Sequence, residues 1–389
     1  MVALALAAGD ALAAPLGERL TRALTVRGVA WSATGAVAVD LRTGEVVYAR
    51  NHNRALRPAS NEKLPVALAA LEELGPSFRI PTRVFGEGTL HGSEWRGRLV
   101  LKGYGDPALG HDDLRRLARA VAAHGIRRVT QPVMADESYF DARRTAPGWK
   151  PRYYKEECPP LSALVVAHAR VGRRVVDDPA LAGAAAFRAA LRAEGIRIPP
   201  GARRGVARAD ATQLAEVSSP RIVRLVRTMN RESDNFVAEM LLKELGAVEL
   251  GRGTTPAGAS VVRRVLAGRT IPLAGVRIVD GSGLSTRNRL TAFAVASLLY
   301  SAARDTRIGA AFRASLAVAG INGTLEDRME HPPARGNVFA KTGTTRNASA
   351  LSGYVRARWV FAVLQNGYPI PWWYARRGQD HFAQVLAGN

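Results

Sequence analysis

At 389 residues, with 47% hydrophobic and 23% charged side chains, the chain exceeds one comfortable core and suits two domains, or one domain with a large insertion. Its net charge of +22 invites a nucleic-acid reading. The arginines, however, are scattered as single residues and pairs such as Arg115–Arg116 and Arg203–Arg204, without a basic block or interleaved aromatics. No nucleic-acid partner is expected; an anionic polymer or membrane surface would fit the charge equally well, and general arginine bias fits it best.

The chain opens with "MVALALAAGDALAAPLGERL". Residues 1–14 resemble the tail of a secretory signal, cut near Ala13 or Ala14, although a basic beginning is missing and Asp10 interrupts the apolar run. Export to the periplasm or the cell-wall side is therefore expected. No later run approaches 18 uncharged apolar residues, so no integral membrane segment is expected. "GAVAVDLRTGEVVYARN" (35–51) reads as alternating strands about a Thr-Gly turn, a β-hairpin. A helix should follow from about Ser60 to Leu74, stopped by Gly75-Pro76.

Residues 84–218 mix short strands ("GRLVLKG") with amphipathic helices ("HDDLRRLARAVAAHG") and read as an inserted accessory domain. Two helices then bracket a loop in "PRIVRLVRTMNRESDNFVAEMLLKELG". Three strands ("NVFAKTG", "SALSGYVRA", "RWVFAVLQNG") and a helix over Trp373–Leu386 close the chain. An initial hairpin and terminal strands suggest one antiparallel sheet made from both ends. The expected fold class is α+β: residues 15–83 and 219–389 as a discontinuous catalytic domain, with 84–218 between them.

Of 55 basic residues only six are lysine. Where arginine supplies most positive charge, a lysine is more often wanted for its removable proton. Cys158 is the single cysteine, and the seven histidines lack ligand spacing, so no disulfide, metal or cofactor is expected.

Two of the six lysines fall in three short motifs. Ser60-x-x-Lys63 puts a hydroxyl and an amine on one helical face; a serine needs such a base, and lysine serves only with a lowered pKa. Ser233-Asp234-Asn235 sits in a turn before a helix and, alone, reads as an N-cap. Lys341-Thr342-Gly343-Thr344 sits on a strand, where Gly343 leaves room for another backbone alongside. Each motif is weak alone. Pro65 is awkward: in a helix beginning at Ser60 it lies just past the tolerant first turn, so a late start or a distorted opening turn is expected.

As an ordered set the motifs resemble the serine DD-peptidase, penicillin-binding superfamily, and most closely its D-alanyl-D-alanine carboxypeptidase/endopeptidase branch. "GYGDPAL" (103–109), "GWKPRYY…PPLSAL" (148–164), "MNRESDNFVAEMLL" (229–242), "VDGSGLSTRNRLT" (279–291), "GINGTLEDRM" (320–329) and "AKTGT…LSGYV" (340–355) carry the resemblance from about residue 30 to the end. It implies a β-lactamase/transpeptidase-like domain and a penicillin-binding D-Ala-D-Ala carboxypeptidase, with DD-endopeptidase activity as a further possibility. Peptidoglycan stem peptides would be substrates and β-lactam antibiotics covalent inhibitors.

By the same resemblance Ser60 would be acylated, with Lys63 as its base and Lys341 helping to keep that base neutral by like-charge repulsion. Ser233 would relay a proton to the leaving amine, and Asn235 would orient Lys63 and hold the substrate amide. Lys341, Thr342, Gly343 and Thr344 would form the carboxylate-binding strand, and the N–H groups of Ser60 and Thr344 an oxyanion hole. Asp280, Ser282 and Ser285 of the "DGSGLS" loop read as structural. The gap from Ser60 to Ser233 is shorter than this family shows, with the jump at "SALVVAHARVGRRVVDDPAL" (162–181), so the insertion should be trimmed. A class A β-lactamase shares the motifs, but no E-x-x-L-N loop lies between Lys63 and Ser233. A non-catalytic wall-binding protein could keep the same fold, but all five catalytic side chains are present here. A cytosolic esterase of similar motif order would be excluded by a working export signal.

Overall fold

The computed structural model describes residues 14–389; the proposed signal remnant, apart from Ala14, lies outside the described residues. Both chain ends build one six-stranded sheet. Its order is Ala317–Val318, Val338–Thr345, Ala348–Val355, Trp359–Asn366, Thr34–Asp40, Val46–Arg50, with every neighbouring pair antiparallel. The first strand pairs with the last, Val37 opposite Ala362.

Period-2 alternation divides these strands between two cores. Val37, Val39, Val360, Ala362 and Leu364 face a helical layer. Ala36, Ala38, Phe361 and Val363 face the helices Leu16–Leu24 and Trp372–Ala387. The alternation expected of the opening hairpin is kept by neither strand: along Val46–Arg50 only Tyr48 is buried. Thr34–Asp40 is buried along its whole length because it is central and covered on both faces.

The chain leaves this domain at Pro81 and returns at Ser218, and those two residues are register partners. Between them a second sheet forms in the order Thr212–Ser218, Pro81–His91, Glu94–Gly103, Val133–Asp136, Ala202–Arg204. The first three strands are antiparallel and the last two join in parallel. Helices His111–Ala123 and Pro179–Ala193 cover it through Leu114, Leu117, Phe187 and Leu191. Within residues 162–181 the chain makes a minimal hairpin, Arg170–Val171 with Arg174–Val175. Among the described residues no helix is long and apolar enough to cross a membrane.

The helix carrying Ser60 is three kinds of helix in succession: a 3-10 turn over Ala59–Glu62, α-helix over Lys63–Ala69, and a π turn over Ala70–Leu74. The 3-10 opening delays the α-helix to Lys63. Pro65 thereby becomes its third residue, where an N–H would have no intrahelical acceptor. The distorted opening turn resolves the proline.

Candidate active site

The 3-10 turn is clamped from two sides. Ala59 has φ +48°, a left-handed conformation that costs a non-glycine residue about 1–3 kcal/mol and persists only when its surroundings enforce it. Two glycines allow that enforcement. A Cβ on Gly283 (φ +87°) would lie 1.9 Å from the Ala59 carbonyl oxygen. A Cβ on Gly343 would lie 2.9 Å from the Pro58 oxygen and 3.0 Å from the Ser60 nitrogen. The backbone lying against Gly343 is thus the protein's own Pro58–Ser60 segment. Asn61 completes the clamp, its Nδ2 donating to the Lys341 carbonyl at 2.9 Å. Ser60 heads the turn, where its N–H falls among those without a helical acceptor.

Lys63 is fully buried, and its Nζ lies 2.9 Å from Ser60 Oγ, 2.8 Å from Asn235 Oδ1 and 2.7 Å from the Ser282 carbonyl. Two of these partners can only accept: Ser282 by its carbonyl, and Asn235 because its Nδ2 donates to the Glu157 carbonyl at 2.9 Å. An uncharged amine would spend its two N–H bonds on them and turn its lone pair to the Ser60 hydroxyl. Burial, above all, brings the Lys63 pKa down to about 8; Asp280, Glu239 and Asp234 oppose it.

Lys341 is also fully buried, with Nζ donating to the Thr342 carbonyl at 2.9 Å. Burial first, then the charge of Lys63, pushes its amine well below the ordinary range. The expected like-charge repulsion is therefore felt chiefly by Lys341. Lys63 has Asp280, Glu239 and Asp234 near it, and these oppose the fall in its pKa.

Ser233 has φ +60°, and Asp234 caps the helix Asn235–Leu250 by accepting from the Val237 N–H at 2.9 Å. That capped turn presents Ser233 and Asn235 to a cleft of about 280 Å³, which Ser60, Gly283, Thr342 and Thr344 also line. Thr342 Oγ1 lies 2.8 Å from Thr324 Oγ1. Arg376 donates to Thr344 Oγ1 at 3.2 Å, and Arg328 lines the same end while paired with Asp380. The fold thus gathers all eight expected site residues at one cleft, six of them in its wall or on Ser60, with Lys341 and Gly343 supporting from the adjoining strand.

Sequence reasoning missed the cleft's cationic end, since nothing marks Arg376 among so many arginines. It also treated the "DGSGLS" loop as framework. The loop is framework with a contact in the site: the Ser282 carbonyl is a partner of Lys63. Asp280 holds the turn, accepting from the N–H groups of Gly283 (2.9 Å) and Ser285 (2.6 Å) and from Trp149 Nε1 (2.8 Å). Glu239 Oε1 accepts from Gly281 N–H (3.0 Å) and Ser282 N–H (2.8 Å), which fixes the direction of the Ser282 peptide. Burial and then Asp280 raise the Glu239 pKa to about 8. Glu62, fully buried with neither oxygen hydrogen-bonded, is pushed well above the usual carboxylate range by burial, then by Asp280 and Glu239.

Compared with known proteins, the chain matches the model of the D-Ala-D-Ala carboxypeptidase 3 (S13) family over residues 18–175 and 165–387. The chain belongs to that family. It is a serine-type D-Ala-D-Ala carboxypeptidase. The two matched segments overlap at residues 165–175, around the minimal hairpin. A D-alanyl-D-alanine carboxypeptidase of Actinomadura sp. (strain R39) is 32% identical over 94% of this chain and 85% of its own length. A carboxypeptidase of Mycobacterium tuberculosis is 32% identical over 92% and 82%. Among solved structures, penicillin-binding protein 4 of Haemophilus influenzae superposes with a TM-score of 0.83, covering 95% of this chain and 98% of that one, at 21% identity. The fold is accordingly the β-lactamase/transpeptidase-like one with an inserted domain.

Proposed function

We propose that Ser60 is the nucleophile of this carboxypeptidase and that Lys63 is its base. The observation that carries the assignment is the single amine held by Ser60 Oγ, Asn235 Oδ1 and the Ser282 carbonyl. Lys63 takes the hydroxyl proton as Ser60 Oγ bonds to the carbonyl carbon of the penultimate D-alanine. The N–H groups of Ser60 and Thr344 stabilise the oxyanion, each such donor being worth about 10²–10³ in rate. The C–N bond then breaks, and the proton passes from Lys63 through Ser233 to the departing D-alanine amine. Water hydrolyses the ester, with its proton returning through Lys63 to Ser60.

The terminal carboxylate is held by the Thr342 and Thr344 hydroxyls beside Lys341. Arg376 supplies the permanent positive charge there, since Lys341 is disposed to be neutral. Peptidoglycan stem peptides are the substrates, with cross-links between them as a second substrate. The enzyme works outside the cytoplasm, where that polymer lies. β-Lactams acylate Ser60: a β-lactam complex of the Haemophilus influenzae protein and a penicillin G-acylated predatory endopeptidase of Bdellovibrio bacteriovorus support this reading.

Incubation with fluorescent penicillin, followed by mapping of the adduct by mass spectrometry, tests the assignment. A label on Ser60 that Ser60→Ala abolishes is expected; a label surviving that substitution overturns it. Release of D-alanine from a D-Ala-D-Ala peptide distinguishes a peptidase from a mere binder, and rapid turnover of penicillin would mark a β-lactamase instead.

A further inference from the structure

Large apolar side chains exposed on a surface are ordinary when scattered singly. Among the described residues they depart from that pattern at one turn, "YPIPWWY". Tyr368, Trp372, Trp373 and Tyr374 are 87%, 47%, 59% and 38% exposed, and no other aromatic is among the large apolar side chains left exposed. The turn joins the last strand to the helix Trp372–Ala387. It is well anchored: Ile370 N–H donates to the Arg346 carbonyl at 3.0 Å, and Pro371 packs on Gly28. The helix buries Ala375, Gly378, Gln379 and Phe382 against the sheet, yet all three residues of its opening turn face water. A fixed backbone thus holds two adjacent indoles, 6.0 Å apart edge to face, out in solvent.

The surroundings are cationic. The Arg376 guanidinium lies 4.7 Å from the Trp372 ring centre. Arg22, Arg27 and Arg377 share a hollow with Tyr374, and Arg346 lies beside Ile370. The acid in that hollow, Asp380, is engaged by Arg328 at 2.6 Å. Amphipathic rings with polar edges, ringed by guanidinium groups and free of exposed Leu, Ile or Val, match the boundary of an anionic bilayer: rings settle among the headgroups and arginines meet the phosphates. Apolar insertion and basic attraction are also the two weak signals that together give reversible surface binding.

We propose that the Tyr368–Tyr374 turn and the arginines around it form an interfacial anchor that docks the enzyme on an anionic lipid surface. Arg376 also reaches Thr344 Oγ1, so the docked face adjoins the mouth of the catalytic cleft. The anchor does not rest on the chemistry assigned to Ser60.

The test is co-sedimentation of the full chain with vesicles of phosphatidylglycerol and phosphatidylcholine, or of phosphatidylcholine alone, at low and high salt. Preferential binding to the anionic vesicles is expected, with a blue shift of tryptophan fluorescence and release by salt. Trp372→Ala/Trp373→Ala and Arg346→Glu/Arg377→Glu should each weaken it by about tenfold or more, while Trp372→Phe/Trp373→Phe retains most of it. Penicillin labelling should stay unchanged in all three variants, which shows that they fold. Vesicle binding that is absent, or equal in wild type and variants, overturns the proposal. So does binding to purified peptidoglycan that the Trp→Ala pair alone abolishes, because the surface would then serve the wall polymer.

Discussion

The candidate cleft and the outer surface of the inserted sheet handle charge differently. Around the cleft Lys63, Lys341, Glu62, Glu239 and Asp280 are all fully buried. Over the inserted sheet charges pair at the surface, as in Arg83–Glu216 at 2.7 Å and Arg208–Asp210 at 2.8 Å, with about a third or more of each side chain exposed. Buried ionisable groups are expensive to take out of water, whereas exposed pairs contribute about 0–1 kcal/mol. The contrast is between ionisable groups taken out of water and ion pairs left in it.

The comparison breaks most sharply at the buried amine. Lys63→Arg keeps the cation but removes the exchangeable proton, and acylation by penicillin should slow by about 10³-fold with little loss of Tm. A small effect would move the base elsewhere. In wild type the acylation rate should climb with pH through an apparent pKa of about 8, as Lys63 loses its proton. A profile flat from pH 6 to 9 would contradict this.

The clamp comes next. Gly283→Ala adds a Cβ at 1.9 Å from the Ala59 oxygen on a left-handed backbone, and should destabilise the protein by about 2–4 kcal/mol and slow acylation. Thermal unfolding and penicillin labelling together check it.

Glu62 sharpens the comparison through pH. Its folded pKa is raised, so the stability it contributes is fully present below the unfolded value of 4.5 and is lost as pH rises toward the raised folded value. Glu62→Gln cannot ionise and should flatten the fall in Tm as pH rises above 4.5; an unchanged slope would overturn the raised pKa. Lys63 acts in the other direction at higher pH, its lowered pKa making stability rise between about 8 and 10.5. The smallest effect belongs to the insertion: Glu216→Ala should shift stability by under about 1 kcal/mol and leave D-alanine release unchanged.

Much of the fold and the site was legible in the chain. Hydrophobic patterning and turn residues marked the hairpin, the terminal strands and the inserted region, because those signals are local. The scarcity of lysine pointed to Lys63 and Lys341. It also pointed to Lys243 and Lys102, which are instead committed to Asp141 and Asp136. A count of residue types cannot separate a buried base from a buried ion pair, since both ask for the same side chain in a dry place. The burial of Thr34–Asp40 on both faces was hidden because Gly, Ala and Val alternate in size there rather than in polarity.

By itself the sequence determined the i,i+3 pairing of Ser60 with Lys63, the capped turn at Asp234 and the small residue at Gly343, each a matter of neighbours along the chain. Tertiary structure decided that both motif lysines are fully buried, that the Ser282 carbonyl joins the site, and that Arg376 lines its far end. Those outcomes depend on desolvation and on contacts between segments 32 to 219 residues apart, neither of which a local pattern encodes. Pro65 belongs to both: its residue type demanded a late helix, and the clamp of Gly283 and Gly343 on Ala59 supplied the 3-10 turn that makes one.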